Sequence, residues 1–156
     1  GVWATDRRSR RQSSHVTQPQ TPYQRLGRDG FDRLTRGFYD AVPGDDVLGP
    51  MYRQHLADQH GVDPQDDAAL APFMEEARVR LRDFLIQRFG GPTTYSDQRG
   101  HPRLRMRHMP FAIDHAAAER WLELMFASLD DLGLEPDLYR ELRVFFTQTA
   151  LFMVNR

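Results

Sequence analysis

Apolar residues recur at helical spacing along most of this 156-residue chain. In FDRLTRGFYDAV, Phe31, Leu34, Phe38 and Val42 fall on one stripe, which predicts a helix halted by Pro43-Gly44. A shorter helix precedes it. It opens at Thr21-Pro22, a cap residue followed by proline at the first helical position, and ends near Gly27. A brief helical turn over DDVLGPMY comes next. From Ala69 to Phe89 a longer helix carries Leu70, Phe73, Met74, Ala77, Leu81, Phe84 and Leu85 on one face. Pro72 is tolerable only in its first turn, and Gly90-Gly91-Pro92 stops it. Asp114 can cap a helix bearing Trp121, Leu122, Met125 and Leu129, closed by Gly133. Glu135-Pro136 opens the last helix, with Leu142, Phe145, Phe146, Thr149 and Met153 inward. Nothing alternates with period two for long, so the expected fold is all-α, without internal repeats.

Two stretches break the periodicity. Residues 1–20 are polar, with Arg7, Arg8, Arg10 and Arg11 clustered and one isolated Trp3, and are expected to form a flexible basic tail. Residues 53–68, RQHLADQHGVDPQDDA, are polar and weakly periodic, and read as a long loop holding about one helical turn. The remainder, 21–156, is one domain by length.

Composition narrows the function classes. The formal net charge is −1, so no global field points to nucleic acid. All 21 basic residues are arginine, which codon bias in a GC-rich genome explains more simply than phosphate recognition does. The absence of cysteine excludes disulfides, thiolate nucleophiles, zinc ribbons and iron–sulfur clusters, and fits a cytoplasmic protein. No apolar run approaches 18 residues and no apolar leader is visible, so neither a membrane span nor a secretory signal is expected.

The chemistry concentrates in GHPRLRMRHMPF, residues 100–111. His101 and His108 are seven apart, roughly 10 Å along a helix, so they cannot both grip one ion. Arg103 and Arg107 share one face, and His101, Arg105 and His108 another, with Leu104 and Met106 adding apolar surface. A ligand with one coordination site, a large apolar body and two carboxylates would use all these parts, and haem is such a ligand. An exposed Arg-rich helix with a core histidine accounts for the same spacing.

The stretch RGHPRLRMRHMPF, preceded by GGPTTYSDQ, closely resembles the segment around the proximal histidine of group II (O type) truncated haemoglobins. FYDAVPGDDVL with the tyrosine that follows resembles their second helix and the turn after it. EEARVRLRDFL is similar to the distal helix, led into by APFMEEARVRL, and Ala118 to Leu122 to the helix carrying the pocket tryptophan. The likeness covers about residues 22–155. It implies a 2-over-2 helical sandwich enclosing haem b, with His108 as the iron ligand. Arg107 and Arg80 match propionate-holding positions, and Tyr95 and Arg105 are weaker matches for that task. Leu81, Phe84, Met106 and Phe111 would complete the cofactor contacts. Tyr39, Tyr52 and Trp121 match the polar distal trio. Ala77 stands where larger globins place a distal histidine, with Leu81 one turn on at the pocket wall.

The resemblance implies a protein that binds dioxygen, carbon monoxide or nitric oxide, for storage, transport or ligand handling. Nitric oxide dioxygenation or peroxidase-like oxidation in the same pocket is the enzymatic alternative, and a haem-free helical interaction module the alternative of another class. A reductase and a homodimer stay open as partners; nucleic acid and membrane are not expected. The chain departs from the family between Tyr52 and Ala77, where it is longer and contains His55 and His60. The expectation is a surface excursion, the other reading being a histidine that reaches the sixth position of the iron.

Overall fold

A computed structural model describes residues 19–156; the tail expected over residues 1–20 therefore lies almost wholly outside them. Seven helices and no strand make up the described residues: α1 Pro22–Ala41, α2 Leu48–His60, α3 Asp67–Arg88, α4 Thr94–Arg99, α5 Leu104–Arg107, α6 His115–Asp131 and α7 Pro136–Met153. Helix α1 packs on α3 and on α6, and α6 packs on α7, which gives two helix pairs laid over one another. None of the helices is long and apolar enough to cross a membrane.

The stripe on α1 is what holds the layers together. Phe31, Leu34, Phe38 and Val42 are all fully buried, against Leu85 of α3, Met125 and Leu129 of α6 and Leu142 and Phe146 of α7. Thr21 caps α1 by accepting from Gln24 N, and the Gln24 side chain returns the bond to Thr21 N. The break expected near Gly27 is present as a kink, with Gly27 at φ 71°, a conformation that costs glycine little. Further along, a Cβ at Gly37 would collide with the Ser128 hydroxyl. That hydroxyl donates to Leu34 O at 2.7 Å, so α1 and α6 cross at backbone contact.

A buried charge pins α1 to α3. Arg78 is 3% exposed and donates to Asp32 Oδ1 at 2.8 Å and Glu75 Oε1 at 2.6 Å. Arg82 reaches the same Asp32 oxygen at 3.0 Å. Burial works against the Asp32 charge, yet these two guanidinium groups hold its carboxyl below the ordinary carboxylate value.

The long loop expected over 53–68 is not there. Helix α2 continues to His60 and ends at Gly61 in the left-handed conformation, with Gly61 N donating to Ala57 O at 2.8 Å. Asp66 then caps α3 by accepting from Ala69 N. The polar composition concealed a helix whose only buried side chains beyond its first turn are Leu56 and Ala57, packed beside Leu70 and Met74 of α3. Arg53 fastens the short connection by donating to Pro43 O and Pro64 O.

Candidate functional site

The two layers do not close completely. A cavity of about 300 Å³ lies between α2 and α3 on one side and the α5 segment, α6 and α7 on the other. Its lining is mostly apolar: Leu48, Met51, Leu81, Phe84, Leu104 and Phe111 among others. Two sets of polar groups interrupt it.

The first set centres on His108, which follows directly after α5. His108 Nδ1 sits 2.7 Å from Leu104 O. A carbonyl can only accept, so Nδ1 carries the proton and Nε2 is left with a free lone pair, the state in which imidazole ligates a metal. Asn155 fixes the chain on either side of the turn. It donates to Phe111 O at 2.9 Å, while its Oδ1 accepts from Ile113 N at 2.9 Å. Beside His108, Arg107 donates through Nη2 to Arg99 O at 2.7 Å, but its Nε is buried without any partner. Such an orphaned donor is costly unless an acceptor joins it. Tyr95, buried and T-stacked on Phe84, lies under both Arg99 and Arg107 at about 6 Å. Gln87 holds α4 in place by bonding Ser96 through both ends of its amide.

The second set is aromatic. Tyr39 from α1, Tyr52 from α2 and Trp121 from α6 all face the cavity around Phe38, with the Tyr39 and Tyr52 rings 6.0 Å apart in an edge-on arrangement. Burial pushes the Tyr52 phenol up to about 12, partly offset by the Trp121 indole. Burial drives Tyr39 well above its ordinary value, with Tyr52 adding to the effect. Both hydroxyls therefore stay protonated and able to donate across the physiological range. The α2–α6 spacing is set by Asp45. Its Oδ2 caps α2 at Leu48 N, 2.8 Å, and its Oδ1 accepts from Arg120, the neighbour of Trp121, at 2.6–2.7 Å. The Arg120 guanidinium holds the Asp45 carboxyl below the usual range.

Of the residues expected from sequence, the cavity gathers His108, Arg107, Arg80, Tyr95, Leu81, Phe84, Phe111, Ala77, Tyr39, Tyr52 and Trp121. It does not gather Arg105 or Met106. Both point away from it, Met106 at 57% exposure and Arg105 with its guanidinium over Phe152, because α5 is a single turn whose opposite face is solvent. His101 is exposed and accepts from Arg103 N, as a cap would. His60 stacks on Phe73 at 3.7 Å and is not part of the cavity wall. His55 is part of it, as are Gln59 and Arg99. The signal for His55 and Gln59 was available: they lie three and seven residues beyond Tyr52, one helical face. A loop over 53–68 would not put them on one face; helix α2 does.

No group of three or more His, Cys, Asp or Glu poised for a bare ion occurs among the described residues, and a single imidazole with a free nitrogen suits a metal carried within a larger group. The cavity suits such a group: apolar walls, one imidazole with a free nitrogen, and arginines at the mouth, one with an unsatisfied N–H. Residues 21–155 match the bacterial-like globin family. The chain belongs to that family. It is 32% identical over 135 residues to the group 2 truncated hemoglobin YjbI of Bacillus subtilis, covering 86% of this chain and 89% of that protein. It is 46% identical over 133 residues to two-on-two hemoglobin-3 of Arabidopsis thaliana, 85% of this chain and 67% of the relative. The thermostable hemoglobin of the actinobacterium Thermobifida fusca superposes with a TM-score of 0.72 at 44% identity, over 87% of this chain and 98% of that one. The globin is thus a haem-binding protein of the group II truncated type, and its fold is the 2-over-2 sandwich expected from the sequence.

Proposed function

We propose that this globin binds haem b in the cavity with His108 as the proximal ligand and handles dioxygen, or another diatomic gas, on the tyrosine–tryptophan side. The observation that carries the reading is the His108 Nδ1 bond to Leu104 O, which fixes the ring and frees Nε2. Haem, when bound, supplies an iron with a position open to such a gas.

The residues of the chain do the rest. Leu81, Phe84, Phe111 and their neighbours cover the apolar ring and exclude water. Arg107 offers its unpaired Nε, and Arg80 its guanidinium, to the haem carboxylates. The ion pairs that lock α1 to α3 use Arg78 and Arg82, which leaves Arg80, on another face of α3, to the cavity. On the opposite wall the Tyr52 phenol, kept protonated by burial, and the Trp121 indole both line the cavity as hydrogen-bond donors. Tyr39 adds a second hydroxyl. Ala77 keeps the wall beside them low. Neutral donors on this wall, with its histidine, His55, laid flat on Phe111, suit tight gas binding better than peroxide cleavage.

The test is a haemin titration followed by reduction and exposure to oxygen and carbon monoxide. A 1:1 Soret band with ligand-dependent shifts is expected, and His108→Ala should abolish the five-coordinate spectrum. An unchanged spectrum and haem affinity in that variant overturns the assignment.

A further inference from the structure

The part of α2 beyond Tyr52 has no task in the reading above, yet it reaches the cavity. Leu48, Tyr52, His55 and Gln59 all line it, spaced so that they occupy one face of the helix. His55 is half-buried at the mouth. Its ring lies flat on Phe111, centroids 4.0 Å apart and planes 29° apart, and Phe111 in turn sits 5.8 Å from the His108 ring. The stack consumes the face of the imidazole and holds it in place, while no hydrogen bond within the described residues engages its edge. Burial disfavours a cation on His55, as do the charges of His108 and of Arg80, which lines the same cavity; Asp58 favours one. His55 and Arg80 line one apolar cavity and neither makes an ion pair with a carboxylate among the described residues, so both can offer N–H donors to an anion there. Arg99 and Arg107 stand together over Tyr95 at another part of the same lining.

On the haem reading of this cavity, we propose that His55 and Arg80 form a second carboxylate clamp that holds one haem propionate, while Arg99 and Arg107 hold the other. Haem b has two propionates, and the mouth offers two pairs of donors. The extension of α2 is then a cofactor-retaining element. Phe111 serves as the platform that aims the His55 N–H outward rather than toward the iron.

The experiment measures haem transfer from the reconstituted globin to an excess of a tight haem-scavenging apoprotein. Wild type, His55→Ala and His55→Phe are each loaded with haem and with its dimethyl ester, which lacks the carboxylates. Both variants should release haem about fivefold faster than wild type, the size of one charge-assisted hydrogen bond at the surface. With the dimethyl ester all three proteins should release at the same rate. His55→Phe keeps the aromatic stack and loses only the N–H, so wild-type retention in that variant would show that packing alone matters and would overturn the clamp. Equal acceleration with both cofactors would overturn it in the same way. A low-spin ferrous spectrum in wild type that turns high-spin in His55→Ala would make His55 an iron ligand, which also refutes the proposal. If wild type takes up no haem at all, the haem reading itself fails, and that outcome is distinct from all the others.

Discussion

Tyr52 and Trp121 both pack on Phe38 and line the cavity, and a mutant cycle separates their roles toward a bound gas. If the indole N–H is spent on the Tyr52 oxygen, then Tyr52 is the group that donates to a bound gas, and Trp121 acts through it. Replacing Tyr52 by Phe removes one donor to a partly charged acceptor, worth about 1.5–3 kcal/mol. At 1.4 kcal/mol per decade this speeds oxygen release roughly 10- to 150-fold. On that premise Trp121→Phe leaves the Tyr52 hydroxyl in place and removes only the contact that polarises it, so a smaller effect follows, about three- to tenfold. The double variant should release oxygen no faster than Tyr52→Phe alone. Stopped-flow displacement of oxygen by excess carbon monoxide gives the four rates, and the cycle gives the coupling. Both side chains also touch Phe38, so carbon monoxide association, which needs no donor, is the control for repacking. Fully additive effects would mean that Trp121 donates on its own account, and the relay would be refuted.

Two further outcomes test the frame around the site. Arg78→Ala removes a buried guanidinium from Asp32 and Glu75; those acids are 29% and 52% exposed and Asp32 keeps Arg82, so the loss should be about 2–3 kcal/mol, below the usual cost of stranding a fully buried charge. A thermal melt should shift down by about 4–12 °C, and an unchanged melting temperature would deny the network its role. The Asp45 carboxyl has a folded pKa below its unfolded value near 3.9, so its contribution is present above that value and is lost as pH falls through the lower, folded one. Asp45→Asn should therefore lower stability at pH 7 and flatten the acid limb of a Tm-versus-pH curve, an outcome that parallel curves for the two proteins would contradict.

What the sequence disclosed and what it hid follow one physical rule. Helices that bury a full stripe announced themselves: Phe31, Leu34, Phe38 and Val42 are all at 0% exposure, and Asp114 caps α6 as expected. The kink at Gly27 and the helix start at Pro136 rest on backbone chemistry that does not depend on neighbours. Helix α2 hid because it faces a cavity rather than a packed partner. A wall meant for a ligand carries Tyr52, His55 and Gln59 where a core helix carries leucine, so its periodicity is polar and weak. Arg105 and Met106 stand outside the lining for another reason. In a four-residue helix the arginines alternate between cavity and solvent, and sequence alone does not show which of Arg105 and Arg107 turns inward.

The position of the cavity follows from where the fold spends its polar bonds. Arg78 and Arg82 clamp α3 to α1 on one side, and Asp45 with Arg120 clamps the start of α2 to α6 on the other. Between these braces the helices are held apart, not together, and the gap receives side chains from both walls. The α5 segment closes the gap through Asn155, whose bonds to Phe111 and Ile113 tie the end of the chain to the turn that carries His108. Each wall is thus positioned by ion pairs or amide bonds outside the cavity, and none of those groups is needed inside it. That separation lets the inner residues be chosen for chemistry: a histidine with one free nitrogen, phenols kept neutral by burial, and an Arg107 N–H left without a partner.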